Sequence, residues 1–230
     1  MIKAVIFDLD NTLYDYDLCH KLAMEEVGRV GAKMFGLGEA EFVREYEAAK
    51  LEVKRHKSGT AAEHNRIFYC QKTVERLGKS PIPAALDLYN AYWDTFLNAM
   101  QPYDGASEFL RSLNAAGLKT AVCTDMTAHI QYRKLVRLEL DDFIDFMITS
   151  EEAGVEKPHP LMFQMSLDKL GVTTKEAVYI GDCFERDVAG ALASGIAAVW
   201  FVHNRPYAPQ ANAAVCRSYR DTALWRLCGV

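Results

Sequence analysis

No apolar run in this 230-residue chain reaches the ~20 residues that a membrane-spanning helix requires. The first strand-like run begins almost at Met1, so no cleavable secretory leader is expected ahead of it. Excess positive charge is also missing. Lys and Arg number 26 against 31 Asp and Glu, a net charge of −5, whereas nucleic-acid binding usually needs a concentrated basic surface. The cysteines (Cys19, Cys70, Cys123, Cys183, Cys216 and Cys228) lack the paired spacing of metal sites. Without an export signal they read as free thiols. Internal repeats and low-complexity segments are absent as well. The expectation is a cytoplasmic globular protein, monomeric or homodimeric, with no membrane and no nucleic-acid polymer as partner.

What the chain does have is strand-like runs alternating with helical patterns. Residues 3–8, 119–124, 145–149, 177–181 and 197–202 read as strands. Helices at 106–116, 161–170 and 188–194 each lead into a glycine (Gly117, Gly171, Gly195), a common helix terminator. Such alternation implies an α/β fold with a doubly wound, mainly parallel sheet, which binds ligands beyond the carboxyl ends of its strands. Residues 15–100 break the alternation and read as four amphipathic helices. Phe42, Tyr46, Ala49 and Val53 share one helical face, as do Ile67, Cys70, Val74 and Leu77, then Tyr89, Trp93, Phe96 and Met100. The expected division is a core of 1–14 plus 101–230, and an inserted helical bundle of 15–100 placed over the sheet end as a cap. The tail predicts a short strand near 213–216 and a last helix near 221–227.

The chemistry collects at strand ends. Residues 4–13 read Ala-Val-Ile-Phe-Asp-Leu-Asp-Asn-Thr-Leu, an apolar run that ends in Asp8 and Asp10. Two close acids raise each other's pKa, so the arrangement costs stability and calls for a cation or a reaction. Strand alternation would send both side chains out on one side. Thr124 and Asp125 end the next strand, Lys157 precedes Pro158 and a proline-initiated helix, and Gly181-Asp182 ends another strand with Asp187 five residues on. On a doubly wound sheet these ends share one edge. A hard divalent cation such as Mg²⁺ would relieve the acids and suit a phosphate substrate.

These motifs, Asp8-Leu-Asp10-Asn-Thr12-Leu, Thr124, Lys157-Pro158 with Pro160 and Phe163, and Gly181-Asp182 with Asp187, resemble those of the haloacid dehalogenase superfamily, in its phosphatase-like branch with a helical cap. The resemblance spans essentially the whole chain. It implies a phosphatase acting on a small phosphorylated metabolite through an aspartyl-phosphate. By that resemblance Asp8 is the nucleophile, and Asp10 protonates the leaving oxygen and then activates water. Thr124 holds the phosphoryl group, and Lys157 offsets charge. Mg²⁺ is then held by Asp8, the Asp10 carbonyl, Asp182 and Asp187, while Thr12 tightens the turn after the nucleophile. Asp125 stands where relatives often carry Asn or Gly, adding negative charge at the substrate side.

Substrate selection is expected from the helical insert. Arg66, near a helix start, is the candidate for contact with an anion, and Tyr14 and Tyr16 are candidates for the entrance. Lys50, Lys54 and Lys57 share a face better read as solvated, and His159 is read as peripheral to the site. Sugar phosphates and nucleoside monophosphates both fit, and the resemblance of Asn11 and Tyr14 to capped nucleotidases points towards nucleotides. A phosphomutase shares every core motif. A metal-independent 2-haloacid dehalogenase would need neither Asp10 nor Asp182, and a non-catalytic scaffold would have little reason to keep mutually repelling acids.

Overall fold

The computed structural model describes residues 1–208 and 213–230. Among them a fully parallel six-stranded sheet forms from β1 (Ala4–Phe7), β2 (Lys119–Thr124), β3 (Phe146–Thr149), β4 (Ala177–Gly181), β5 (Ala197–Phe201) and β6 (Ala214–Cys216). Spatial order is β3-β2-β1-β4-β5-β6. The chain therefore steps outward on one side of β1 and returns to its other side with β4. Strand order reverses there, the switch point at which open α/β sheets leave a crevice beyond their carboxyl ends.

Helices α1 (Tyr16–Phe35), α2 (Glu39–Lys57), α3 (Arg66–Arg76) and α4 (Ala84–Ala99) belong to one compact unit, Tyr16–Met100. The other unit joins Met1–Asp15 to Gln101–Val230. Its helices are α5 (Ala106–Ala115), α6 (Ala128–Arg137), α7 (Ser150–Ala153), α8 (Pro160–Leu170), α9 (Ala189–Ala193) and α10 (Thr222–Cys228). No helix among the described residues is long and apolar enough to cross a membrane. All the cysteines are free thiols.

Every residue of β1 is buried, because a central parallel strand is covered on both faces. Ile6 faces a core with Ile148, Phe163, Leu167 and Tyr179. Phe7 meets Phe109 edge to face, with ring centres 6.2 Å apart. Each such large apolar side chain contributes about 1.5–3 kcal/mol on burial, which fixes the register that places Asp8. Within the helical unit Phe42, Tyr46, Ala49 and Val53 are all buried, as helical spacing required.

One sequence expectation needs correction and two gain detail. Extended backbone stops at Phe7 rather than residue 8, so alternation along the strand does not govern Asp10. Asp10 instead stands in a turn closed by Leu13 N–H donating to Leu9 C=O at 3.0 Å. Asn11 takes φ 63° in that turn, a left-handed conformation Asn tolerates better than most residues. The helix after Lys157 starts at Pro160, with the His159 ring accepting from Leu161 N–H as its N-cap, so His159 has a structural task. Finally, the helix expected at 188–194 is preceded by a wider π-helical turn at Phe184–Val188.

Candidate active site

Asp8 leaves the end of β1 with its backbone N–H bonded to Ile180 C=O on β4 at 2.8 Å. Its carboxylate accepts from Lys157 Nζ at 2.6 Å and from the Thr12 hydroxyl at 3.0 Å. Lys157 also donates to Asp187 at 2.6 Å and to the Tyr179 hydroxyl at 3.2 Å. Only 5% of Lys157 is exposed, so one buried cation bridges two carboxylates. Burial pushes the Asp8 carboxyl well up; Lys157 opposes this, while Asp187, Asp182 and Asp10 add to it. Burial alone would lower the Lys157 ammonium, but Asp187 and Asp8 win and raise it.

Asp187 reaches this cluster through the π-helical turn, a local widening common at functional sites. Its second oxygen accepts from Cys183 N–H at 3.0 Å. Gly181 makes the approach possible, since a Cβ there would lie 2.5 Å from the Cβ of Asp187. Asp182 does not cap the following turn; its carboxylate pairs with Arg205. Burial and then Asp187 raise the Asp182 carboxyl, against the pull of Arg205. Oxygens of Asp8, Asp182 and Asp187 lie within 4.8 Å of one another. That all-oxygen donor set suits a hard divalent cation.

Asp10 has a separate environment. Lys134 Nζ donates to both its oxygens, at 2.7 and 2.8 Å, and the Tyr14 hydroxyl donates to one of them. Tyr14 is fully buried, so it supports Asp10 rather than lining an entrance. Lys134 was not singled out from the sequence. The available signal was a lysine on the apolar face of α6, between Ile130 and Leu138, where a buried charge demands a partner. Tyr179 was missed for the opposite reason: it reads as an ordinary apolar strand residue. Its hydroxyl joins Lys157, Asp187 and the Cys123 carbonyl.

Thr124 ends β2 with its hydroxyl oxygen accepting from the Gln131 amide at 2.6 Å. Asp125 binds the Lys157 backbone N–H at 3.0 Å and faces Arg186 at 3.4 Å, so it ties the Lys157 segment to β2. Burial raises the Asp125 carboxyl, with Lys157 opposing. The Tyr219 hydroxyl holds the Thr12 carbonyl at 2.9 Å, bracing the turn after Asp8.

In the helical unit Arg66 is 6% exposed. Its guanidinium donates to His64 C=O at 2.6 Å and to the Tyr16 hydroxyl, among the rings of Tyr69, Tyr92 and Trp93. Asn65 caps α3 through Ile67 N–H at 3.1 Å. The Lys50, Lys54 and Lys57 face is occupied locally: Lys50 pairs with Glu47, Lys54 with Glu63, and Lys57 lies over Phe68.

An acid and lysine cluster thus lies at the carboxyl edge of a parallel α/β sheet, beside its switch point, the place where enzymes of this architecture bind their ligands. The family model for haloacid dehalogenase-like hydrolases matches residues 2–195, and the chain belongs to that family. A ribulose-1,5-bisphosphate 5-phosphatase of Halopiger xanaduensis is 41% identical over 206 residues, covering 87% of this chain and 85% of that protein. A glyceraldehyde 3-phosphate phosphatase of Methanopyrus kandleri is 36% identical over 207 residues, covering 86% and 83%. Among solved structures, a HAD phosphatase from Thermococcus onnurineus aligns with TM-score 0.76 at 25% identity, covering 99% of this chain and 98% of that one.

Proposed function

We propose that this chain is a Mg²⁺-dependent phosphatase that hydrolyses a small phosphorylated carbohydrate through an aspartyl-phosphate on Asp8. The observation that carries this reading is the Asp8–Lys157–Asp187 cluster, with Asp182 beside it, at the carboxyl edge of the sheet. Ionised together in a buried space, these three acids outnumber the two cations paired with them, Lys157 and Arg205. A divalent cation held by Asp8, Asp182, Asp187 and the Asp10 carbonyl fits that excess of negative charge. When bound, such a cation supplies Lewis acidity and shields the phosphoryl oxygens from the attacking carboxylate.

The chain's own residues do the rest. Lys157, together with the bound cation, opposes the burial that favours the protonated acid; in its ionised form the Asp8 carboxylate oxygen attacks phosphorus and the ester oxygen departs in line. The Thr12 hydroxyl bond leaves Asp8 a defined orientation. Asp10, standing apart in its turn, delivers a proton to the departing oxygen. It then takes one from the water that opens the aspartyl-phosphate, returning Asp8 and releasing inorganic phosphate. The Thr124 hydroxyl and the Lys157 ammonium hold the equatorial oxygens as charge develops on them.

The two relatives named for carbohydrate phosphates, at 41% and 36% identity, favour a sugar or triose phosphate over a nucleotide. Asn11, whose likeness to nucleotidases pointed the other way, meets a backbone demand of the turn. The helical unit is proposed as the selectivity element, with Arg66 as its anion-reading residue. The test is phosphate release from ribulose 1,5-bisphosphate, glyceraldehyde 3-phosphate, other sugar phosphates and nucleoside monophosphates, each with Mg²⁺ and with EDTA. Turnover of sugar phosphates only with Mg²⁺ supports the reading. Metal-independent turnover, or none on any ester, refutes it.

A further inference from the structure

Gln131 is fully buried on α6, at a core-facing position where a leucine or methionine would pack without polar atoms. Its side-chain nitrogen lies 2.6 Å from the Thr124 hydroxyl oxygen and 2.9 Å from the Asp125 carbonyl. A carbonyl only accepts, so the group facing Asp125 must be the NH₂ and the amide has one sensible orientation. Its two protons then go one to each oxygen. The Thr124 oxygen is thus occupied as an acceptor from behind, and its single proton is turned away from Gln131. In the described structure that proton goes to the Asp125 carbonyl at a longer 3.2 Å, an acceptor that already takes the other amide proton.

Stability accounts for only half of this glutamine, whose amide nitrogen makes two hydrogen bonds while its oxygen makes none. Its own carbonyl oxygen is buried without a hydrogen-bond partner in the described structure, and an orphaned buried polar atom costs stability. Buried amides that cost stability and point at a strand-end hydroxyl belong to function more readily than to packing.

We propose that Gln131 is a positioning residue that fixes Thr124 as a hydrogen-bond donor to the phosphoryl group. It acts through Thr124, touching neither the reacting phosphorus nor the nucleophile. The inference rests on the phosphatase reading for the identity of the group that Thr124 holds, while the Gln131–Thr124 contact itself is independent of it. Without the amide, nothing fixes the Thr124 hydroxyl from behind and its proton must be oriented anew in each turnover, a loss that falls on kcat more than on KM.

The test is a double-mutant cycle with Gln131→Met, Thr124→Val and the pair, assayed on the best phosphomonoester and by calorimetric binding of orthovanadate, a phosphate-shaped oxyanion. Gln131→Met is expected to lower kcat about 10- to 30-fold with KM changed less than about threefold. Its melting temperature should stay close to that of the wild type, because loss of the two amide hydrogen bonds is offset by loss of the orphaned carbonyl. In the Thr124→Val background the same change should cost less than about twofold, and vanadate affinity should follow the same pattern. Equal losses in both backgrounds, or wild-type kinetics for Gln131→Met, overturn the inference. If the wild-type chain binds vanadate but hydrolyses no ester, the phosphatase reading fails and the vanadate cycle still decides the role of Gln131. If it neither binds vanadate nor turns over, both fall.

Discussion

Replacing Lys157 with methionine isolates the electrostatic core of the site. Methionine keeps much of the length and apolar volume but removes the cation that bridges Asp8 and Asp187 at 2.6 Å each. Two buried carboxylates then face each other without compensation. Removing one partner of a buried ion pair costs about 3–5 kcal/mol. In a chain of this size about 1 kcal/mol corresponds to 2–4 °C in Tm, so a fall of about 6–20 °C is expected in thermal unfolding of the metal-free protein. Lys3→Met is the control. Lys3 pairs with Glu176 at an equally short 2.5 Å, but its side chain is 62% exposed, and exposed pairs add little. Its Tm should stay close to that of the wild type. Millimolar Mg²⁺ should recover a larger part of the Lys157→Met deficit than it adds to the wild type, because the cation supplies the missing charge at the same carboxylates. A Tm loss no larger than that of Lys3→Met, or a Mg²⁺ effect equal in both proteins, would refute the account of Lys157 as the counter-charge of a buried acid cluster.

Asp8→Asn should leave a folded protein whose phosphate release falls at least 10³-fold, since an amide cannot form the acyl phosphate; substantial residual turnover excludes Asp8 as nucleophile. EDTA should abolish phosphate release and added Mg²⁺ restore it, as a colorimetric phosphate assay would read. Arg66→Ala should raise KM for the best sugar phosphate about tenfold through a lost charged contact, and unchanged kinetics would leave Arg66 a purely structural cation. His20 offers a pH test. Burial, and then Arg66, lower its pKa from the ordinary 6.5 to about 4, so between those values the unfolded chain binds the proton and the folded chain does not. Stability should therefore fall as pH drops from about 6.5 to 4, by about 1–2 kcal/mol once solvent screening of the half-buried ring is allowed for. In urea titrations His20→Gln should lose this part of the pH dependence, and an identical pH profile for both proteins would contradict it.

Local sequence determined a great deal here. Apolar runs of strand length alternating with glycine-terminated helices were enough for the parallel α/β core, because helix and strand periodicity are properties of neighbouring residues. The same runs placed Asp8, Thr124 and Asp182 at strand ends, and helical spacing marked out the buried face of α2. Tertiary structure decided which acid meets which base. Lys157 is 149 positions from Asp8 and Lys134 is 124 from Asp10, and no local pattern assigns one lysine to each aspartate. That division matters chemically, since Asp8 shares its cation with Asp187 while Asp10 is held apart by Lys134 and Tyr14. The turn that takes Asp10 out of the strand, the π-helical widening that brings Asp187 over Gly181, and the orientation of Gln131 behind Thr124 share one cause. Short-range bonds shape each of them, but only contacts made on folding hold them at the site, as Lys134 holds Asp10, Tyr219 holds Thr12 and Lys157 holds Asp187, and such contacts exist only once the sheet has closed around β1.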